Sequence, residues 1–308
     1  MTKKLILLFA FSYVTIISFA QTKIAITIDD VPNTKNFEKD NFNSRLLYKL
    51  DSIKIPVAIF INEGLLSKTA HETKNLDLLN NWIARDYTTI GNHTFNHTGF
   101  SDTGIDSFLT DVDKGEIYTR KIAEQSGKSL YHFRFPYNDL GKDSLQHKEI
   151  TRRLSEKGYM ISPFTIESSD WMFNYLYEYY LSNGNKLKAD SIGSLYVNKT
   201  LEYFFFFDSL SKSIYNRHIN QIYLCHDNSI NADYLHIVIK ELQQKKYSFI
   251  SLDEAMLDEV YRSENNYFKK WGISWIYRWM NDPNDIKKAM QKEPDIMSIY
   301  NDYKKLNQ

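Results

Sequence analysis

The stretch KIAITIDD, residues 23–30, sets an unbroken run of apolar and β-branched side chains before two adjacent aspartates, Asp29 and Asp30. A run this short, rich in isoleucine and closed by polar residues, reads as a strand buried on both faces. Strands of that kind pair in parallel, and parallel pairing needs a crossover helix between successive strands. The chain beyond supplies the alternation. An amphipathic helix over 43–53 leads to a strand at 56–62 (PVAIFIN). A helix at 76–86 leads to a strand at 87–93, and 105–125 is again helical. YHFRFPY, 131–137, reads as a strand ended by Pro136, and a helix over 148–158 closes at Gly158 before a strand at 159–167. A strand at 219–227, a helix at 232–245 and a strand at 247–252 continue the pattern. This predicts an α/β chain with enough units to close a barrel.

In such barrels the chemistry collects at the C-terminal ends of the strands. Asp29, Asp30, His93, Arg134, Asp170 and His226 all fall at or just past predicted strand ends. The segment TIGNHTFNHTGF, 89–100, places His93 and His97 four residues apart, a spacing that is weak evidence of a metal site by itself. The aspartate doublet before Pro32's turn is ambiguous in the same way, since Asp-Asp before proline is commonly a turn signal. Together the two features say more. Two histidines and one carboxylate make a three-ligand open site of the kind catalytic zinc uses, and a second carboxylate beside it can serve as base.

Composition narrows the function class. The chain opens MTKKLILLFAFSYVTIISFAQ, in which Lys3 and Lys4, an apolar core and Ser18-Phe19-Ala20 read as a secretory signal peptide over 1–20, an uncleaved anchor being the alternative. Export, to periplasm or medium, is the resulting expectation, with no stable membrane span after cleavage. Without Lys3 and Lys4 the remainder carries 36 basic and 38 acidic side chains, a net charge of −2, which points away from nucleic acid. Cys225 is the only cysteine, so no intramolecular disulfide forms, and on a buried strand it reads as core. Oligomeric state is left open.

Two regions depart from the alternation. Residues 172–215 hold twelve Tyr or Phe in 44 positions, too apolar for a solvated loop, and are expected to form a helical excursion packed mostly on itself. Residues 261–308 read as a helical tail whose Trp271, Trp275 and Trp279, spaced by four, form one apolar stripe against the barrel.

The ordered set of motifs resembles the polysaccharide deacetylases of the NodB-homology type, carbohydrate esterase family four. TIDD resembles the first motif, implying Asp29 as general base and Asp30 as metal ligand. HTFNH resembles the second, implying His93 and His97 as the other ligands. RFPY resembles the third, with Arg134 orienting the base and the Tyr137 backbone N–H facing the oxyanion. ESSDW resembles the fourth, with Trp171 walling the substrate pocket and Asp170 tuning the acid. LCH resembles the fifth, with His226 as general acid and Leu224 lining the acetyl pocket. The resemblance spans about residues 22–255 and implies a distorted (β/α) barrel over 21–260, here with the helical insertion and a C-terminal helical extension. Val31 stands where the family commonly has glycine, and Glu167 where the fourth motif commonly opens with aspartate.

The expectation is therefore an exported, metal-dependent deacetylase acting on an N- or O-acetylated glycan. Zinc is favoured by the donor set, with cobalt, nickel or iron as substitutes. Two rivals remain: a hydrolase of small non-carbohydrate amides on the same barrel, and a non-catalytic glycan-binding protein.

Overall fold

The computed structural model describes residues 22–307; the signal-peptide expectation lies outside the described residues. Eight strands form one parallel sheet: β1 (Lys23–Val31), β2 (Val57–Ile61), β3 (Thr88–Asn92), β4 (His132–Phe133), β5 (Met160–Ile161), β6 (Ile166–Glu167), β7 (Gln221–His226) and β8 (Ser248–Phe249). Their order is β5-β4-β3-β2-β1-β7-β6, with β8 also against β1, so the sheet curls into a distorted (β/α) barrel. Strand β1 sits at its centre, and both of its faces are buried. Ile24, Ile26 and Ile28 pack against the surrounding helices, while Ala25 joins Ala58, Phe60, Ile222 and Leu224 in a second, smaller apolar cluster. That two-sided burial is why the strand reads as a continuous apolar run and not as an alternation.

Among the described residues no ladder joins β5 to β6, and this seam is closed by other donors. Arg134 donates from Nε to Ser162 O at 3.3 Å and from Nη2 to Pro163 O at 3.0 Å. The next two carbonyls accept from the C-terminal region, Phe164 O from Trp275 N–H at 3.0 Å and Thr165 O from the Ser274 hydroxyl at 2.6 Å. Buried carbonyls that lose their sheet partner need such replacements. The strand expected over 159–167 thus divides into β5 and β6, interrupted at Pro163. Likewise the strand expected over 131–137 is regular only at His132–Phe133, because Pro136 lacks an N–H and Tyr137 turns into the left-handed region at φ 57°.

The helical stretch at 105–125 is two helices, Ile105–Lys114 and Ile117–Gln125, broken at Gly115. A Cβ there would lie 2.5 Å from Thr94 C and 2.7 Å from Phe95 N, so glycine lets the HTFNH loop pass directly over the break. The aromatic-rich region forms helices Asp170–Ser182 and Lys186–Tyr215, with Phe173, Tyr196, Phe204 and Phe207 buried. Among the described residues no helix is long and apolar enough to cross a membrane.

The C-terminal region corrects one expectation. Trp271, Trp275 and Trp279 do not form a single stripe. The helix runs only Trp275–Trp279, where Ser274 caps it by accepting from Ile276 N–H, and Trp271 precedes it in a loop at φ 72°. Trp275 and Trp279 pack against each other with centroids 6.2 Å apart, whereas Trp271 is 55 % exposed. Two further helices follow, Pro283–Met290 and Met297–Leu306.

Candidate active site

Asp29 and Asp30 follow each other on β1, and in an extended strand they would point to opposite faces. Asp30 instead adopts φ 60°, and the β1–β2 register shifts between Ile28 and Val31. The kink lets both carboxylates line one cleft of about 870 Å³. There Asp30 Oδ1 lies 3.3 Å from His97 Nε2 and 3.7 Å from His93 Nε2, and the three candidate ligand atoms all fall within 4.8 Å of one another.

His93 is held for ligation by its surroundings. Its Nδ1 is 2.8 Å from Arg134 O, so Nδ1 carries the proton and Nε2 presents a lone pair toward Asp30 and His97. Burial, and then the neighbouring His97, pushes His93 down to about 3, so the ring is neutral. The loop carrying His97 is fixed by Asn62, whose amide donates to Thr94 O at 3.1 Å, and by Asp111, which accepts from Asn96 N–H at 2.9 Å. The donor set and its spacing fit a divalent transition metal with one open side.

Asp29 is 2 % exposed and pairs with Arg134, itself fully buried, at 3.1 Å. Arg134 Nη1 also donates to Thr27 Oγ1 at 2.6 Å, so one guanidinium both clamps Asp29 and closes the barrel seam. Burial lifts the Asp29 carboxyl above its ordinary range, and Arg134 opposes that rise.

His226 is the register partner of Asp29 across the β1–β7 ladder, which places the two side by side at neighbouring strand ends and on the same face of the sheet. Asp170, at the first turn of the insertion's leading helix, receives His226 Nδ1 at 2.7 Å and the His226 backbone N–H at 2.9 Å. Asn228 and Asn231 side-chain amides donate to the same carboxylate at 2.9 and 2.6 Å. Burial alone would pull the imidazole down, but Asp170 outweighs it and holds His226 up at about 10. Asp170 correspondingly stays below its usual range despite burial.

Leu224 and Trp171 line the cleft, as does Tyr137, whose ring meets His97 edge-on at 4.7 Å. Every candidate site residue named from the sequence therefore converges here, with Arg134 and Asp170 buried behind the cleft wall. Four contributors were not foreseen. Trp271 and Gly272 of the C-terminal loop also line the cleft. Asp139 ties the Tyr137 turn to the segment after His97, accepting from Ser101 N–H at 2.9 Å and its hydroxyl at 2.6 Å. Asp227, pushed up to about 7 by burial, accepts from Asn33 N–H at 2.8 Å at the cleft's edge. Cys225 is buried, with Sγ 3.5 Å from Thr27 O, as a core residue would be.

Residues 18–161 match the family model described as polysaccharide deacetylase. A peptidoglycan-N-acetylglucosamine deacetylase from Bacillus cereus is 24 % identical over 153 residues, covering 50 % of this chain and 48 % of its own, so this chain spans about half the length of that relative. Among solved structures, a peptidoglycan N-acetylglucosamine deacetylase superposes with TM-score 0.50 and 18 % identity over 77 % of this chain and 89 % of its own. A family-four carbohydrate esterase pseudoenzyme from Bacillus anthracis superposes with TM-score 0.50 and 14 % identity over 77 % and 66 % of the two chains. At these identities the superpositions show the fold alone. The matching family model over residues 18–161 and the curled parallel sheet make this chain similar to the polysaccharide deacetylases.

Proposed function

We propose that this protein is an exported, metal-dependent deacetylase that hydrolyses N-acetyl, or O-acetyl, groups on a cell-surface or extracellular polysaccharide. The observation that carries the reading is the pairing between two neighbouring strand ends. Asp29 and His226 face each other in register, each held by its own buried counter-charge, Arg134 and Asp170, beside the Asp30–His93–His97 cluster. The pseudoenzyme among the structural relatives shows that the fold does not guarantee catalysis, so these side chains must carry the reading. A base, an acid and a complete ligand set are all present, which favours an enzyme over a glycan-binding relic.

Asp30, His93 and His97 would hold the cation, with zinc the best fit to one carboxylate and two imidazoles. When bound there, a divalent metal acidifies water and polarises the acetyl carbonyl. Asp29, oriented by Arg134, takes the proton from the attacking water. The backbone N–H of Tyr137 faces the oxygen that becomes negative in the tetrahedral state. His226, kept protonated by Asp170, gives its proton to the departing amine nitrogen as the C–N bond breaks, leaving acetate and a free amine. Leu224 lines the space for the acetyl methyl, and Trp171 offers a flat apolar face to a sugar ring. The reading treats residues 21–260 as the catalytic domain, 1–20 as the export signal, and 261–308 as an extension.

The test is acetate release from a panel of acetylated glycans, including peptidoglycan, chitin-like oligomers and acetylated xylan, with and without chelator. Release that chelator abolishes and zinc restores supports the reading. Hydrolysis confined to small cyclic amides would replace it with the small-amide rival.

A further inference from the structure

Resting on that reading, we propose that residues 270–272 of the C-terminal extension form a specificity-determining wall, on which Trp271 stacks a sugar ring adjacent to the one being deacetylated. The substrate would accordingly be a polymer engaged over several units.

The wall is continuous from the metal cluster outward. His93 and His97 meet at 4.9 Å, His97 and Tyr137 at 4.7 Å, and Tyr137 and Trp271 at 5.5 Å, each pair edge to face. Trp271 is the outermost ring of that series and lines the cleft with more than half its surface exposed, at 55 %. A bulky residue at φ 72° is disfavoured by about 1–2 kcal/mol, so the surroundings must hold it there. They do so from both sides. Lys270 pairs with Asp102 at 2.6 Å, beside the His97 loop. Gly272 N–H donates to Tyr137 O at 3.1 Å, and the buried Arg278 donates from Nη2 to Asn138 O at 3.1 Å. A Cβ on Gly272 would fall 2.1 Å from Asn138 Cβ, so only glycine permits this approach.

The extension also supports the other tryptophan of the cleft. Tyr303, on the helix Met297–Leu306, packs edge-on against Trp171 at 5.3 Å, and Tyr175 donates to Leu306 O at 2.7 Å. A segment that merely covered the barrel would have no reason to carry an exposed indole in a strained backbone beside the catalytic groups. An aromatic face set outside the reacting position suits the apolar face of a neighbouring pyranose ring.

The experiment is calorimetric titration of metal-free protein with N-acetylated β-1,4-linked oligosaccharides of increasing length from the single sugar, using wild type, Trp271→Ala and Trp271→Phe. Wild-type affinity should rise with length. Trp271→Ala should lose about tenfold in affinity for the longer oligomers and much less for the single sugar, and Trp271→Phe should recover most of the loss. Loss that is equal at every length, no loss at all, or absence of binding to every oligomer by wild type would overturn the proposal. Acetate release by the zinc-loaded wild type is measured in parallel. Length-dependent, Trp271-dependent binding without acetate release would overturn the catalytic reading and leave the wall standing.

Discussion

Asp170 holds His226 at two points: one carboxylate oxygen receives the imidazole Nδ1 at 2.7 Å, and the other receives the backbone N–H of the same residue at 2.9 Å. The side chain is thereby fixed in place and in protonation state together, because the grip on the main chain aligns the carboxylate with the ring. The general-acid role proposed for His226 requires a charged ring at neutral pH, and an ordinary imidazole titrates near 6.5.

The pH dependence follows with a definite sign. His226 is raised to about 10, so its proton is present through neutrality and lost as pH climbs through that value. The stability contributed by the ion pair is complete below the unfolded value of 6.5 and disappears over the same alkaline range. Asp170→Asn should therefore move the alkaline limb of kcat down toward 6.5, and should depress amide hydrolysis more than ester hydrolysis, because an alkoxide leaves without a proton more readily than an amine. A pH–rate profile whose alkaline limb stayed in place would break the proposed pair.

Asp29→Asn keeps the shape of the side chain and removes its ability to take a proton. Turnover should fall by about 10²–10⁴ with metal stoichiometry unchanged. Should Asp29→Asn lose the metal while Asp30→Asn keeps it, the two aspartates would exchange roles.

Arg134 is asked to do two things, and its removal should show both. Arg134→Met retains volume but leaves Asp29 without its buried counter-charge and strips Ser162 O and Pro163 O of their donors. The expected cost is about 3–5 kcal/mol in urea unfolding, together with loss of turnover. A variant with unchanged stability would mean that the seam is not held through this guanidinium.

Gly272→Ala probes the contact between the extension and the Tyr137 turn. Its new Cβ meets Asn138 Cβ at 2.1 Å, so either the loop or the Tyr137 turn must move. Displacement of the turn should lower kcat by roughly tenfold or more, as small misplacements of positioning groups do, while urea unfolding changes by about 1–3 kcal/mol. Unchanged kcat would show that the turn keeps its position without the loop.

Much of this arrangement is legible in the sequence, for a physical reason. Strands buried on both faces write themselves as short apolar runs, and polar residues that end such runs, like Asp29 and His226, stand out against them. The kink at Asp30 is different: its φ of 60° depends on local packing, and the doublet alone was equally readable as a turn. Trp271 misled because a four-residue spacing is also what a helix face produces. Gly272 and the N-capping Ser274, both visible in the sequence, mark the true helix start. Asp139 and the seam carbonyls carry no sequence signal, since their partners lie at Ser101, Arg134 and Ser274, far away along the chain.

The measurement closest to the central claim is metal content and acetate release on one preparation, comparing wild type with His93→Ala. Wild type should carry about one equivalent of transition metal and release acetate from an acetylated glycan, and chelator should abolish that release. His93→Ala should lose both metal and activity. Full metal content in His93→Ala, or acetate release by wild type that chelator leaves untouched, would contradict the account.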